Sequence, residues 1–453
     1  MKIYTKTRSF AAAFMLALTS VVSLQVGAAV DGITGPTFNL EAGSASIATP
    51  DGDSVQIWGY GVGGVPQYPG PTLIVNQGDV VTINLTNTLT MPVSMVFPGQ
   101  TGVAAAGGNC LDAGVDCLMT TETTTTATTY TFTADHAGTY MYHSGTNPEL
   151  QTEMGLFGAI IVRPTTATQA YDNAATAYDH EYLFLLSEMD PRIHYQAEFY
   201  EGNSDLAGLN NIDFSDYKAN LWFMNGRNGP DTFAPSGVEA PWLPNQPYNA
   251  IPRTTPGDTV LVRVIGASHH LHPLHLHGNN VTIIARDGRM LESVPGTSGP
   301  DLGRSDFTVK TASFQTYDGL WDWTGKGLGW DIYGHTATDG STCVDAVPPF
   351  DGFDDTTREW CEDHAKEIPV VLPELQDLTF GGFYSGSPYL GDLAGLPPGE
   401  GGLNINGGLF FMWHSHTENE LVNNDIFPGG MMTMMVIEPP GCDVTLADCG
   451  FVP

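Results

Sequence analysis

Positive charge is scarce in this chain. Sixteen lysines and arginines stand against 50 aspartates and glutamates in 453 residues, a formal net charge of −34. Such a surface repels nucleic acid and anionic lipid, so neither is expected as a partner. It keeps an exported protein soluble. Long apolar runs are missing after the N-terminus, and no later stretch could span a bilayer. Capped, amphipathic stretches of helical period are also scarce, which argues against a helical protein. Cysteines number six and none lies near a histidine motif, so thiolate ligation of a metal is not expected.

The N-terminus has the pattern of a secretory signal peptide over residues 1–28. Lys2, Lys6 and Arg8 precede an apolar run from Phe10 to Val22, and Val26-Gly27-Ala28 offers small residues for cleavage. Its removal takes away three positive charges and leaves a mature chain near −37. The expected location is the periplasm or the extracellular space. The cysteines form three close pairs, Cys110/Cys117, Cys343/Cys361 and Cys442/Cys449. In an oxidising compartment this spacing favours three local disulfides among the 15 possible connectivities.

What is abundant is glycine and proline, 53 and 31 residues, punctuating short runs rich in Val, Ile, Thr and Tyr. DVVTINLTN (79–87), TYTFTA (129–134), EYLFLLSEMD (181–190) and TVLVRVIG (259–266) read as strands between tight turns, an all-β sandwich pattern. A weak repeat is visible. NQGDVVTINLTN (76–87) resembles TPGDTVLVRVIG (255–266), and each is followed by a histidine motif and a closing strand, GLFGAIIVRP (155–164) or GGMMTMMVIEPP (429–440). The second unit carries about 96 more residues, expected as stapled loops between Arg289 and Gly402.

Thirteen histidines are few, yet seven fall in two short motifs. SHHLHPLHLHG (268–278) contains His272, His275 and His277, and MWHSHTENELVNNDIFPGGMM (412–432) contains His414 and His416. A residue and its second neighbour share one strand face, so each H-x-H presents two imidazoles together. YMYHSGTNPELQTEMG (140–155) adds His143. Imidazole suits copper, zinc, iron and nickel and does not choose strongly among them, so a zinc site of the same ligands stays open. His136, His180, His194, His335 and His364 are read as surface or loop residues. Met431, Met432, Met434 and Met435 are read as a core strand, and Asp287 as a turn residue.

HPLHLHG (272–278) resembles the third copper motif of the multicopper oxidases, H-P-x-H-x-H-G. GTYMYHSGTNPELQTEMGLFGAIIV (138–162) resembles their second motif, and the segment around His414 their fourth. The chain is also similar to two-domain copper nitrite reductases. The resemblance implies two cupredoxin-like Greek-key β-sandwich domains at about 30–165 and 175–440. The second carries a long loop insertion near 290–400, and a disulfide-closed tail follows at 441–453. It also implies where the pattern departs. At the mononuclear blue copper position His272 fits the first ligand, but Ser415 stands for the cysteine and Glu420 for the second histidine. Met431 fits the axial place only after an insertion. Residues 88–100 hold no histidine, and Gly145 stands where the second motif has another. Five of eight cluster histidines remain, which argues against a trinuclear centre and four-electron reduction of dioxygen.

The expected ligands are therefore His143, His275, His277, His414 and His416, holding one or two coppers, with His272, Glu420 and Met431 as lesser candidates. The implied function is that of a copper-dependent oxidoreductase with a histidine-only centre and no blue copper. Its electrons would come directly from a small molecule or redox protein. The alternative is a non-catalytic copper-binding or scaffold protein. Comparison with nitrite reductases places the metal between His143 of one subunit and the second domain of the next, in a homotrimer.

Overall fold

A computed structural model describes residues 30–110, 120–367, 387–388, 409–424, 426–438 and 441–444. Residues 1–28, read from the sequence as a signal peptide, lie outside these residues.

Alternation of apolar and polar residues builds the first sandwich. In Thr128–Thr133, Tyr130 and Phe132 are buried between threonines of the outer face, and in Val80–Asn87 the buried positions are Val81, Ile83 and Leu85. These strands belong to a six-stranded sheet ordered Val65–Pro66, Ser54–Val62, Thr37–Ala48, Val80–Asn87, Thr128–Thr133, Ala104–Gly107. A four-stranded sheet, Ile33–Thr34, Gly70–Asn76, Phe157–Arg163, Gly138–His143, completes the sandwich. One core cluster takes Phe38, Ile83 and Tyr130 from the first sheet and Leu73, Tyr142 and Ile160 from the second.

The second sandwich repeats the plan. One sheet is ordered Leu221–Met224, His180–Met189, Thr259–Gly266, Thr316–Asp322, Val281–Arg286, Arg289–Met290, with Arg304–Asp306 also paired to Val281–Arg286. The other is ordered Arg253–Thr254, Met432–Ile437, Leu409–Ser415, His272–Leu276, Thr308–Thr311, with Ser387–Pro388 on the flank of Leu409–Ser415. The Gly-Asp turn that opens each repeat has its glycine at positive φ, 88° at Gly78 and 86° at Gly257. Asp287 does sit in a turn. With φ of 49° there and 68° at Gly288, Asp-Gly links paired Arg286 and Arg289 as a two-residue hairpin. Met431 and Met435 are buried in the second core, whereas Met434 is only partly buried.

A third apolar cluster joins the two sandwiches, with Ile57, Met141 and Phe157 from the first against Leu185, Phe223 and Ile265 from the second. Beside it Arg263, fully buried, bonds Glu181 at 2.6 Å, Asp318 at 3.3 Å and Thr139 Oγ1 of the first sandwich at 2.8 Å. Arg163 pairs with the same Glu181 at 2.6 Å.

Three differences from the sequence reading stand out. A helix, Pro191–Gly202, follows the His180–Met189 strand in a chain whose sequence shows few helical stretches. Asp190 caps it by accepting the Arg192 N–H, and Pro191 opens it. Within 290–400, Thr308–Thr311 and Thr316–Asp322 are sheet strands, and the loop excursion begins after Asp322. His180 and His194, read as surface or loop residues, are buried at 8% and 0% exposure. Each has a polar partner that makes burial tolerable. His180 Nε2 lies 3.1 Å from Asp258, and His194 Nδ1 lies 2.6 Å from the Gln56 carbonyl.

Cys343 and Cys361 form a disulfide, as their spacing suggested. Cys110 and Cys442 are disulfide-bonded as well, while Cys117 and Cys449 lie outside the described residues. No helix among the described residues is long and apolar enough to cross a membrane.

Candidate metal centre

Two adjacent antiparallel strands position the histidines. Along His272–Leu276 burial alternates: Leu274 and Leu276 enter the core, which turns His275 to the opposite face. His277 follows on that face just beyond the strand end. The neighbouring strand places His414 directly opposite His275, Ser415 opposite Leu274 and Trp413 opposite Leu276. Trp413 and Leu276 share the core, so the same register that buries them brings the imidazoles together.

Candidate ligand nitrogens of His275, His277 and His414 all lie within 4.8 Å of one another. The ring centroids are 4.6 Å apart for His275–His277, 5.4 Å for His275–His414 and 5.3 Å for His277–His414. His416 stands at the rim, its ring 4.6 Å from that of His275 and its side chain half exposed.

The ring orientations suit a metal. His414 Nδ1 donates to the Ser415 carbonyl at 2.7 Å, which leaves Nε2 as the lone-pair nitrogen. His275 Nδ1 is 2.9 Å from Thr308 Oγ1, on the other flanking strand. Burial, with the neighbouring imidazoles, pushes the His414 pKa down to about 4 and lowers that of His275. Both rings are therefore neutral near pH 7, the form that ligates. The donor set fits copper: imidazole nitrogens, no thiolate and a rim open to solvent.

His143 ends the corresponding strand of the first sandwich and repeats the orienting bond, Nδ1 to the Ser144 carbonyl at 2.9 Å. It is not in the three-histidine group. Its ring stacks on Phe314 of the second sandwich at 4.4 Å, and burial lowers its pKa.

The other face of the His414 strand holds a different chemistry. His272 is fully buried, with Nε2 2.7 Å from Glu188 and Nδ1 2.9 Å from Glu420. Ser415 Oγ donates to the same Glu420 oxygen at 2.5 Å. Burial alone would drive the His272 ring neutral, but the two carboxylates outweigh it and hold its pKa at about 9. Burial also opposes ionisation of Glu188, yet its bond to His272 prevails and its pKa is lowered. The backbone N–H groups of His269 and His270 add to this, each 2.7 Å from Glu188. Both ring nitrogens of His272 are thus engaged by carboxylates. Met431 lies in the apolar core. In the first sandwich Ser144 Oγ likewise donates to a side chain, Gln151, at 2.5 Å.

Residues 43–167 match the family model described as multicopper oxidase. The chain is similar to the multicopper oxidases over this stretch. It is 27% identical over 250 residues to copper resistance protein A of Escherichia coli, covering 50% of this chain and 38% of that protein. It is 31% identical over 149 residues to copper-containing nitrite reductase of Alcaligenes xylosoxydans xylosoxydans, covering 32% of this chain and 40% of that protein. The chain therefore spans less than half the length of these relatives. Among solved structures, blue copper oxidase from Nitrosomonas europaea aligns over 88% of this chain and 85% of its own, with a TM-score of 0.50 and 19% identity. At that identity the likeness shows the fold: two cupredoxin-like sandwiches, as in multicopper oxidases.

Sequence reasoning missed Glu188, which lies 84 residues upstream of His272. It also missed Asp331, His335, Glu359 and His364, whose ligand atoms form a second group within 4.8 Å. His335 and His364 do lie in loop segments, as read, and the chain reversal between them brings their rings to 4.9 Å.

Proposed function

We propose that this multicopper oxidase relative is a secreted copper-dependent oxidoreductase with one histidine-only centre and no blue copper. The observation that carries the reading is the convergence of His275, His277 and His414 on one face of two paired strands. Three protein donors at a solvent-facing rim leave a position for a small ligand, the arrangement that separates catalytic from structural sites. His275, His277 and His414 would hold copper, and His416 at the rim would complete the set or receive the ligand. Bound copper would supply a one-electron redox centre for a small oxygen-containing ligand. With the electron-entry position filled by Glu188, His272, Glu420 and Ser415, electrons would reach the centre directly from an external donor.

His143 supports a further element of the proposal. It carries the same orienting bond as His414 but stands outside the group within one chain, so it would complete the site of a neighbouring subunit in a homotrimer. Domain limits of 30–165 and 175–440, one for each sandwich, are part of the proposal.

The test is copper content of the mature chain by elemental mass spectrometry. One or two coppers per chain, lost in His275→Ala/His277→Ala, are expected, with turnover of oxygen or nitrite when a reduced donor is supplied. Copper bound without turnover would favour the non-catalytic alternative. A folded chain that takes up no copper would end the proposal. A monomeric mass by light scattering would remove the shared site alone.

A further inference from the structure

We infer that the loop excursion after Asp322 contains a second, structural site for a zinc-class divalent cation, built from Asp331, His335, Glu359 and His364. The donors sit in two short arms, Asp331 to His335 and Glu359 to His364. Backbone bonds knit the arms together: Asp331 N–H donates to the Lys366 carbonyl at 3.0 Å, and Ala365 N–H donates to Asp331 Oδ2 at 2.8 Å. The Cys343–Cys361 disulfide pins the second arm between its two ligands.

The separations run from hydrogen-bonding contact to just beyond the spacing of tetrahedral coordination, with Glu359 facing the two imidazoles through both of its oxygens. With metal–donor bonds of about 2.0–2.2 Å, donors around a zinc ion stand about 3.4 Å apart. His335 Nδ1 lies 3.0 Å from Asp331 Oδ2 and 3.2 Å from Glu359 Oε2. His364 Nδ1 lies 2.8 Å from Glu359 Oε1 and 3.7 Å from Asp331 Oδ2.

The electrostatics ask for a cation. Asp331 and Glu359 are buried, at 1% and 2% exposure, and no lysine or arginine among the described residues forms an ion pair with either. Two carboxylates balance the charge of a divalent ion, and two imidazoles supply nitrogen donors.

Four protein donors leave no open position, which makes this a structural site, unlike the three-histidine centre. The mixed nitrogen and oxygen set without sulfur suits zinc and disfavours copper(I). The ion would clamp the excursion onto the second core, which Trp330, Ile332 and Tyr333 of the same segment join.

The experiment uses the full chain with the first centre removed by His275→Ala, His277→Ala and His414→Ala, loaded with zinc alone and desalted. One zinc per chain is expected, with X-ray absorption reporting nitrogen and oxygen neighbours and no sulfur. Adding His335→Ala and His364→Ala should abolish it and speed proteolysis between residues 323 and 367. No zinc in a first-centre variant of native circular dichroism would overturn the inference, as would zinc undiminished by the two added substitutions. If the first-centre variant does not fold, the comparison moves to the otherwise unchanged chain with and without His335→Ala/His364→Ala. A deficit of one zinc supports the site there, and no deficit overturns it. Copper bound at the first centre is read separately, so either assignment can fail alone.

Discussion

At the residue scale, His272 is a fixed charge where the resemblance places a copper ligand. Its pKa of about 9 is above the ordinary value of 6.5, so the imidazolium stabilises the folded chain. That contribution is fully present below pH 6.5 and is lost as pH rises through about 9. A shift of that size corresponds to roughly 3 kcal/mol. Urea unfolding midpoints should therefore fall between pH 6.5 and 9, and His272→Gln should flatten that limb. A Gln variant with the same alkaline slope would place the titrating group elsewhere. Glu188→Gln, which leaves the buried imidazolium with one carboxylate, should cost about 3 kcal/mol at pH 7 in the same assay. The sequence made half of this network legible. His272, Ser415 and Glu420 fall within recognisable motifs, and the absent cysteine already argued against blue copper. Glu188 carries no motif; it stands on a strand whose apolar run announced only a core, and tertiary packing alone delivers its carboxylate to the ring.

At the element scale, the centre depends on register. Leu274 and Leu276 fix which face of their strand is buried, and His275 and His277 take the other by default. Leu274→Ala, at a fully buried position, should cost about 2–5 kcal/mol. It should also weaken copper binding without touching a ligand. Thermal unfolding and copper titration of one preparation check both effects; lost stability with unchanged copper affinity would mean that neighbouring strands suffice to hold the histidines. Period-two patterning is why the strands were readable: Thr259–Gly266 appears in the structure with the limits its sequence suggested. The Pro191–Gly202 helix was not recognised, because its apolar periodicity is weak and its signal is confined to the Asp190-Pro191 start. The two arms of the second site were hidden for a related reason. Asp331-x3-His335 and Glu359-x4-His364 lie in loop sequence without periodicity, and only the chain reversal pairs them.

At the scale of the whole molecule, the question is whether two sandwiches unfold as one. The apolar cluster between them is reinforced by a charge-balanced buried group, in which Arg163 and Arg263 meet Glu181 and Asp318. Thr139, from the first sandwich, ties into it through Asp318 at 2.5 Å, and Tyr171 donates to the other Asp318 oxygen at 2.5 Å. Arg263 bonds across the seam, so it acts on coupling as well as on stability. Arg263→Leu would leave Glu181 with Arg163 alone and Asp318 without a cation, a loss of about 3–5 kcal/mol. Because the two main cores are distinct clusters held together at this seam, that loss should appear as a division of the calorimetric transition into two, one for each sandwich. His143 lies four residues beyond Thr139 on the same strand and stacks on Phe314 across the seam. Separation of the sandwiches would therefore also release the His143 ring, and its imidazole NMR signals should broaden in the variant before the first transition. A single transition, lowered but undivided, would show that the apolar cluster alone makes the pair cooperative and would leave Arg263 a role only within the second sandwich.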